Sequence, residues 1–101
     1  MANRLELQAL LESVLGSVNV YFQPPPTVRM QYPCIVYNRD AAEMKYADSV
    51  LYNYTQRYQV TVIDRAPDSP FPLMVANLPL CRYDRFFTAD NLNHDVFTLF
   101  F

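Results

Sequence analysis

The stretch YNYTQRYQVTVID, residues 52–64, decides the fold of this chain. One face of it carries tyrosine and valine, from Tyr52 and Tyr54 to Tyr58, Val60 and Val62, and the residues between them are polar. A strict period of two is typical of a β-strand that turns one face towards a core. The protein is therefore built on a sheet, and the flanking segments predict the rest of it.

A second strand precedes this one. The segment YPCIVYNRD, residues 32–40, contains an apolar run from Cys34 to Tyr37 in which both faces are apolar, as in a strand at the centre of a sheet. Between the two strands lies DAAEMKYADSV, residues 40–50, which is polar and charged and has no glycine. It predicts either a hairpin loop or an extension of both strands beyond the sheet.

The N-terminal residues predict an amphipathic helix. Asn3 and Glu6 have the spacing of a capping box, and Gly16, the only glycine, stands where a left-handed C-cap belongs. A short strand, residues 19–23, then leads into three prolines, which cannot donate to a strand ladder and predict an extended connector. The apolar residues at helical spacing are Leu7, Leu10, Leu11, Val14 and Leu15.

The residues that follow the strand at residues 52–64 predict a short helix and two more strands. Ser69 would be the N-cap of this helix and Pro70 its first residue, within residues 66–79. CRYDRFFT, residues 81–88, is predicted to be a strand with Tyr83, Arg85 and Phe87 on one face and the residues between them on the other. A turn at residues 90–93 should lead into the last strand, HDVFTLFF, residues 94–101. The helix face towards the sheet would consist of Phe71, Met74, Val75 and Leu78.

The order of these elements is α-β-β-β-α-β-β. It predicts an α+β fold in which two helices pack on a mostly antiparallel sheet of about five strands. At 101 residues the chain is expected to form a single domain, residues 1–101, with one modest core. No stretch approaches the run of about 18 apolar residues that a membrane span needs.

The sequence offers no catalytic constellation. His94, the only histidine, is followed by Asp95, but adjacent residues of a strand point to opposite faces, so Asp95 cannot orient the ring. One glycine is too few for a phosphate-binding loop, and two distant cysteines do not form a zinc site. Asp64 and Asp68 lead into the second helix and are better explained as capping residues than as two ligands of a metal ion. We expect a protein that is not an enzyme and that holds no metal and no cofactor.

The composition favours assembly with other proteins. There is one lysine against seven arginines, together with eight tyrosines and four methionines, whereas protein interfaces are depleted in lysine and enriched in the other three. One small core cannot bury fifteen aromatic side chains as well as its aliphatic ones, so part of this surface is expected to be covered. The residues predicted to contact a neighbouring subunit or another protein are Asp40, Glu43, Met44, Lys45, Tyr46, Asp48 and Arg57.

Three segments carry a resemblance to a known family. YPCIVYNRD, YQVTVIDRAPDS and LNHDVFTLFF, in this order after an amphipathic helix, resemble the tail terminator proteins of tailed bacteriophages, also called tail completion or head-tail joining proteins. The resemblance covers nearly the full length of the chain and rests on the amino-acid sequences of the segments and on their order. It implies an α+β subunit that forms a hexameric ring at the head-proximal end of the tail tube, stops tube polymerisation and joins the tail to the head connector around the DNA passage.

The resemblance also implies partners and a location. The partners are further copies of the chain, the tail tube protein and the head connector and neck proteins, with DNA only as passing cargo and no membrane. The location is the virion tail or neck, after assembly in the cytoplasm of the bacterial host. Two other functions stay open: a head-closure or neck connector protein of the same virion, and a small cytosolic regulatory or nucleic-acid-binding module that uses the tyrosine face. The net charge of -2 speaks against tight binding of a polyanion.

Overall fold

The protein is described by a computed structural model that covers residues 4–47 and 50–101, with the side chains of these residues apart from residues 41–47 and 50–55. The elements are α1 (Arg4–Leu15), β1 (Val20–Phe22), β2 (Cys34–Ala47), β3 (Val50–Asp64), α2 (Phe71–Ala76), β4 (Cys81–Ala89) and β5 (Leu92–Phe100). The predicted α+β fold and the order α-β-β-β-α-β-β are confirmed.

The five strands form one sheet in the order β1-β2-β3-β5-β4. Only β1 and β2 run parallel, and the other neighbours are antiparallel. The strand with the strict alternation, β3, lies in the middle, where Val60 is opposite Tyr37 of β2 on one side and Phe97 of β5 on the other. All three side chains are buried, so the core forms around the centre of β3.

Both helices pack on the same face of the sheet. Leu7, Leu11 and Leu15 recur at intervals of four, form one stripe of α1 and are buried. They pack in a single cluster with Val75 of α2 and with the sheet residues around Val60. Leu10 and Val14 border that cluster and are only partly buried.

A polar network ties α1 to the sheet. Tyr37 has no exposed surface, and burial raises the pKa of its hydroxyl. That hydroxyl donates to Oε1 of Gln8 and accepts from the guanidinium of Arg4 at 3.3 Å. Gln8 in turn donates to the carbonyl of Val20 in β1 at 3.0 Å. A buried hydroxyl without partners would be costly, so these bonds fix where the helix lies on the sheet.

The end of α1 is capped as predicted. Gly16 has φ of +71°, and the amides of Gly16 and Ser17 both donate to the carbonyl of Glu12, at 2.8 and 3.2 Å. A left-handed residue at this position turns the chain out of the helix and satisfies its last carbonyls. The predicted cap at the other end, Asn3, lies outside the described residues.

The second helix differs from the prediction in two ways. Pro70 occupies the N-cap position and Phe71 begins the helix, although the Ser69 hydroxyl still accepts from the amide of Phe71 at 3.4 Å. Met74 was expected to face the sheet and is 43% exposed, while Val75 is buried. Successive residues of a helix are about 100° apart around its axis, so Met74 lies roughly 60° from Phe71, on the side opposite to Val75. Met74 is therefore at the edge of the buried side of this short helix.

The last two strands form a tight hairpin. Asp90 and Asn91 have φ of 53° and 61°, which is the geometry of a two-residue hairpin turn. Val96 and Phe97 are buried on opposite faces, at 2% and 1% exposure, which agrees with the apolar pattern of both faces of β5. The strand lies between β3 and β4, so its apolar sequence is not left at an edge.

The predicted alternation in β4 is wrong because of a β-bulge. Tyr83 is opposite Phe97 and Arg85 is opposite Val96, so Asp84 is an extra residue in the ladder. The bulge shifts the alternation by one. Tyr83 and the later Phe86 therefore lie on the helix side of the sheet, and Arg85 lies on the other side.

None of the helices in residues 4–47 and 50–101 is long and apolar enough to cross a membrane.

We predict that the stripe of α1 carries a large share of the stability. Leu11→Ala should lower the free energy of unfolding by about 2–5 kcal/mol, because Leu11 is fully buried in the core. Leu5→Ala in the same helix is the matched control, since Leu5 is 67% exposed, and should cost about 0.5 kcal/mol or less. Urea titration measures both. Equal effects for the two variants would show that the described packing of α1 is wrong.

Candidate subunit interface

Two strands of the sheet are longer than their neighbours. β5 pairs with β3 only from Arg57 to Asp64, and β1 pairs with β2 only from Ile35 to Tyr37. Residues 43–47 of β2 and 50–55 of β3 pair only with each other, and we call this ribbon the arm. At about 3.3 Å per residue it projects roughly 20 Å beyond the sheet. Of the two predictions for residues 40–50, the strand extension is therefore the correct one.

The arm begins at a β-bulge. Arg39 is opposite Tyr58 and Ala41 is opposite Arg57, so Asp40 is an extra residue in β2. A bulge bends its strand and increases the local twist, and here it stands at the position where β5 ends. The bulge therefore sets the direction in which the arm leaves the sheet.

The bulge brings together two of the predicted interface residues. Oδ2 of Asp40 lies 3.1 Å from Nε of Arg57. Among the described residues this Nε has no hydrogen-bond partner, so the contact is ionic and not a well-aligned hydrogen bond. Both side chains are about 40% exposed, which limits the contribution of the pair to about 0–1 kcal/mol.

A glutamine that the sequence analysis passed over secures the base of the arm. Gln56 lies within the tyrosine and valine stripe of β3 and is 8% exposed. Its Oε1 accepts from the guanidinium of Arg39 at 2.8 Å, and its carbonyl accepts from the amide of Phe101 at 3.1 Å. The signal was present in the sequence as the single polar residue of that stripe.

The ladder within the arm is defined by its backbone. Glu43 is opposite Thr55, Met44 is opposite Tyr54 and Lys45 is opposite Asn53. The side chains of Glu43, Met44, Lys45 and Tyr46 lie outside the described residues, as does all of Asp48, so their roles as interface residues stay predictions. A ribbon of two strands is at best marginally stable in water. A second surface packed against such a ribbon would stabilise it.

The second surface is an apolar patch beside β4 that the sequence analysis did not find. Several large apolar side chains in and between α2 and β4 are exposed, and α2 packs against β4. Tyr83 is held in place there, since its ring meets Phe97 edge-on at 5.3 Å and its hydroxyl donates to Asp95 at 3.2 Å. The residues of this β4 patch, between 43% and 71% exposed, are Leu73, Met74, Leu80, Tyr83 and Phe86.

The geometry around His94 is that of a structural residue. Its ring stacks on Phe87 with centroids 4.5 Å apart and an interplanar angle of 15°. Its Nδ1 is 3.1 Å from the carbonyl of Leu92. Asp95 lies on the other face of β5, where it accepts from Tyr83. The two residues therefore do not form an acid–base pair, as the strand alternation predicts.

The remaining candidates for chemistry are separated in the same way. Oδ1 of Asp64 accepts from the amide of Ala66 at 3.1 Å, which is a turn-capping role. Within the described ranges no three histidine, cysteine or acidic residues come together as a group that would hold a metal ion. Burial, with a smaller effect of Asp64, raises the pKa of the Cys34 thiol to about 12, and burial also raises that of Cys81. Since the thiolate is the reactive form, neither thiol is activated.

No protein-family model matches the chain, and no curated protein matches it.

We predict that the thiol of Cys34 does not react with alkylating reagents in the folded protein. With a pKa of about 12 in the folded state, against roughly 8.5 in an unfolded chain, its thiolate fraction at pH 8 falls by about three orders of magnitude. Alkylation by iodoacetamide, followed by mass spectrometry, should therefore require unfolding. The raised pKa also means that stability is lost as the pH rises above about 8.5. Equal alkylation of Cys34 with and without urea would contradict the described burial.

A pair of substitutions in β5 separates a structural from a catalytic role for His94. His94→Ala should leave folding and assembly intact, because it removes one ring stack with the half-exposed Phe87. Phe97→Asp should abolish folding, because it places a charge in the core at a position that is 1% exposed. Circular dichroism and sedimentation measure both. A folded His94→Ala protein that has lost its function, together with a tolerated Phe97→Asp, would restore the active-site interpretation.

Proposed function

We propose that this chain is a structural virion protein of the tail terminator kind. Its copies form a ring, a hexamer, at the head-proximal end of a phage tail tube. The ring stops polymerisation of the tube and joins the tail to the head connector around the DNA passage. The observation that carries the proposal is the arm, which leaves the sheet as a pair of strands with no further strand beside it in the described residues and so offers a surface to a neighbouring molecule.

The arm and the β4 patch are different surfaces of the same subunit. A contact between two different surfaces is heterologous, and repeated heterologous contacts close into a ring or continue as a filament. The resemblance of the sequence to tail terminators, with its implied hexamer, favours the closed ring. Ring closure also gives two free faces, one for the tail tube and one for the head connector.

The charge of the protein suits a channel through which DNA moves. Proteins that hold DNA do so largely by placing lysine and arginine at the phosphates. This chain has a net charge of -2 and a sequence pI near 5.1, so a ring of it would let DNA pass without binding it tightly. The ring would be assembled in the host cytoplasm and would remain in the virion.

The described core weakens the alternative of a nucleic-acid module that uses the tyrosine face. Stacking on bases requires exposed rings. Tyr37 and Tyr58 are 0% and 5% exposed and belong to the core, beneath the helices. Within the tyrosine face, Tyr58 is therefore not available for stacking on a base, and the side chains of Tyr52 and Tyr54 lie outside the described residues.

The mass of the purified protein in solution tests this proposal. A hexamer has about 71 kDa, six times the 11.8 kDa of one chain, and should be visible by negative-stain electron microscopy as a ring with a central hole. Sedimentation should be carried out over a range of concentrations, alone and with assembled tail tubes. The control is Val18→Asp, which changes a residue that is 78% exposed and distant in sequence from the arm and the β4 patch, and which should form the same ring. A monomer under all of these conditions would contradict the proposal.

A further inference from the structure

We infer that Asp40, the extra residue of β2, is a positioning residue for assembly. The length that it adds to the strand, and not its charge, aims the arm at the neighbouring copy. This inference rests on the proposed ring and deepens it, because it names the feature that sets the angle between successive subunits.

The bulge at Asp40 does not serve the core. The pairing of β2 with β3 is regular up to Arg39, opposite Tyr58, and resumes at Ala41, opposite Arg57. Arg57 is also the last residue of β3 that pairs with β5, so the bulge lies at the boundary between the sheet and the ribbon. Asp40 is exposed, and its side chain therefore fills no space among the buried residues.

The ion pair of Asp40 does not explain the bulge either. A bulge leaves one residue outside the ladder and disrupts the hydrogen bonds around it. The contact between Oδ2 of Asp40 and Nε of Arg57, at 3.1 Å, joins two side chains that are 41% and 39% exposed. Pairs with this exposure contribute little to stability. What the extra residue supplies is therefore the bend and the added twist that a bulge gives to its strand.

The bulge is braced on both faces of the ribbon. On the helix side, the guanidinium of Arg39 donates to Oε1 of Gln56 at 2.8 Å, and these two residues lie on either side of the bulge in the ladder. On the opposite face, Asp40 contacts Arg57. The carbonyl of Gln56 also accepts from the amide of Phe101, which ties the joint to the body of the subunit. Contacts on both faces resist bending in either direction, so the arm leaves the sheet at a fixed angle.

A closed ring requires such a fixed angle. Heterologous contacts close only if the rotation between neighbours is the same at each contact and adds up to a full turn. The arm projects roughly 20 Å, so a change of about 10° at its base moves its far end by roughly 3.5 Å. An error of this size is repeated at every contact of the ring. The direction of the arm is therefore a determinant of ring closure that is separate from its surface chemistry.

Deletion of Asp40 removes the bulge and nothing else from the ladder. Arg39 and Ala41 become neighbours and keep their partners, Tyr58 and Arg57, so the pairing register of the arm is unchanged. Asp40→Ala is the matched control, because it keeps the extra residue and removes only the charge. Thermal unfolding should show that both variants fold, since Asp40 is exposed.

We expect the two variants to differ in assembly. Asp40→Ala should form the same ring as the unchanged chain, with self-association within about fivefold, because an exposed ion pair contributes little. The deletion should weaken self-association at least about tenfold, or give assemblies with a different number of subunits. Sedimentation measures the mass and the concentration dependence, and negative-stain electron microscopy measures the diameter of the ring.

A second variant keeps the test decisive if the deletion fails to fold. Insertion of one alanine after Asp40 adds another residue to the bulge and leaves the pairs of Arg39 and Ala41 in place. It also changes the direction of the arm and should prevent the ring of the unchanged chain. Unfolding of both the deletion and the insertion variants would overturn the inference, because the bulge would then serve the core.

The other outcomes separate this inference from the proposed ring. A ring of unchanged mass and diameter from the deletion variant would overturn the positioning role and leave the ring intact. Loss of the ring in Asp40→Ala would do the same, since the charge would then be required. If the unchanged chain forms no ring at any concentration, with or without tail tubes, both are wrong.

Discussion

The packing of Tyr37, Val60 and Phe97 across three neighbouring strands is the interaction on which the rest of the structure depends. These residues are opposite one another in β2, β3 and β5 and are almost completely buried. The hydroxyl of Tyr37 can be buried there only because Gln8 and Arg4 of α1 bind it. These two bonds from α1 fix where that helix lies on the sheet, because a buried hydroxyl needs partners.

The same arrangement explains why the arm exists. The core is centred on the part of β3 that β5 accompanies, and β5 ends opposite Arg57. Beyond that position β2 and β3 continue together without another strand beside them. The contacts of Gln56 with Arg39 and Phe101 hold this boundary, and the bulge at Asp40 gives the departing ribbon its direction. A subunit built in this way has a rigid body and a projecting segment, which is a suitable design for contacts between copies.

Much of the fold could be predicted from the sequence, because it depends on local periodicity. The alternation around Val60 defines β3, and the spacing of Leu7, Leu11 and Leu15 defines α1. The alternation predicted for β4 was wrong, because nothing in the sequence marks Asp84 as the extra residue of a β-bulge. Met74 was misplaced for a related reason, since a short helix has little periodicity from which its buried side can be determined.

The candidate interface was predictable only in part. The charges of residues 40–50, together with Met44 and Tyr46, marked the arm, but a polar stretch without glycine fits both a loop and a strand pair. The β4 patch could not be found, because the exposure of Tyr83 and Phe86 depends on the strand order, in which β5 separates β4 from β3. That order is a property of long-range pairing, which periodicity within one segment does not encode.

The most direct measurement of the central claim, that the arm carries the contact between copies, is hydrogen–deuterium exchange at two concentrations. In the monomer the amides of the arm should exchange rapidly, because they belong to a two-stranded ribbon. On assembly, protection should rise in the arm, while β1, at an edge of the sheet, should not change. Unchanged exchange in the arm of an assembled ring would contradict the account.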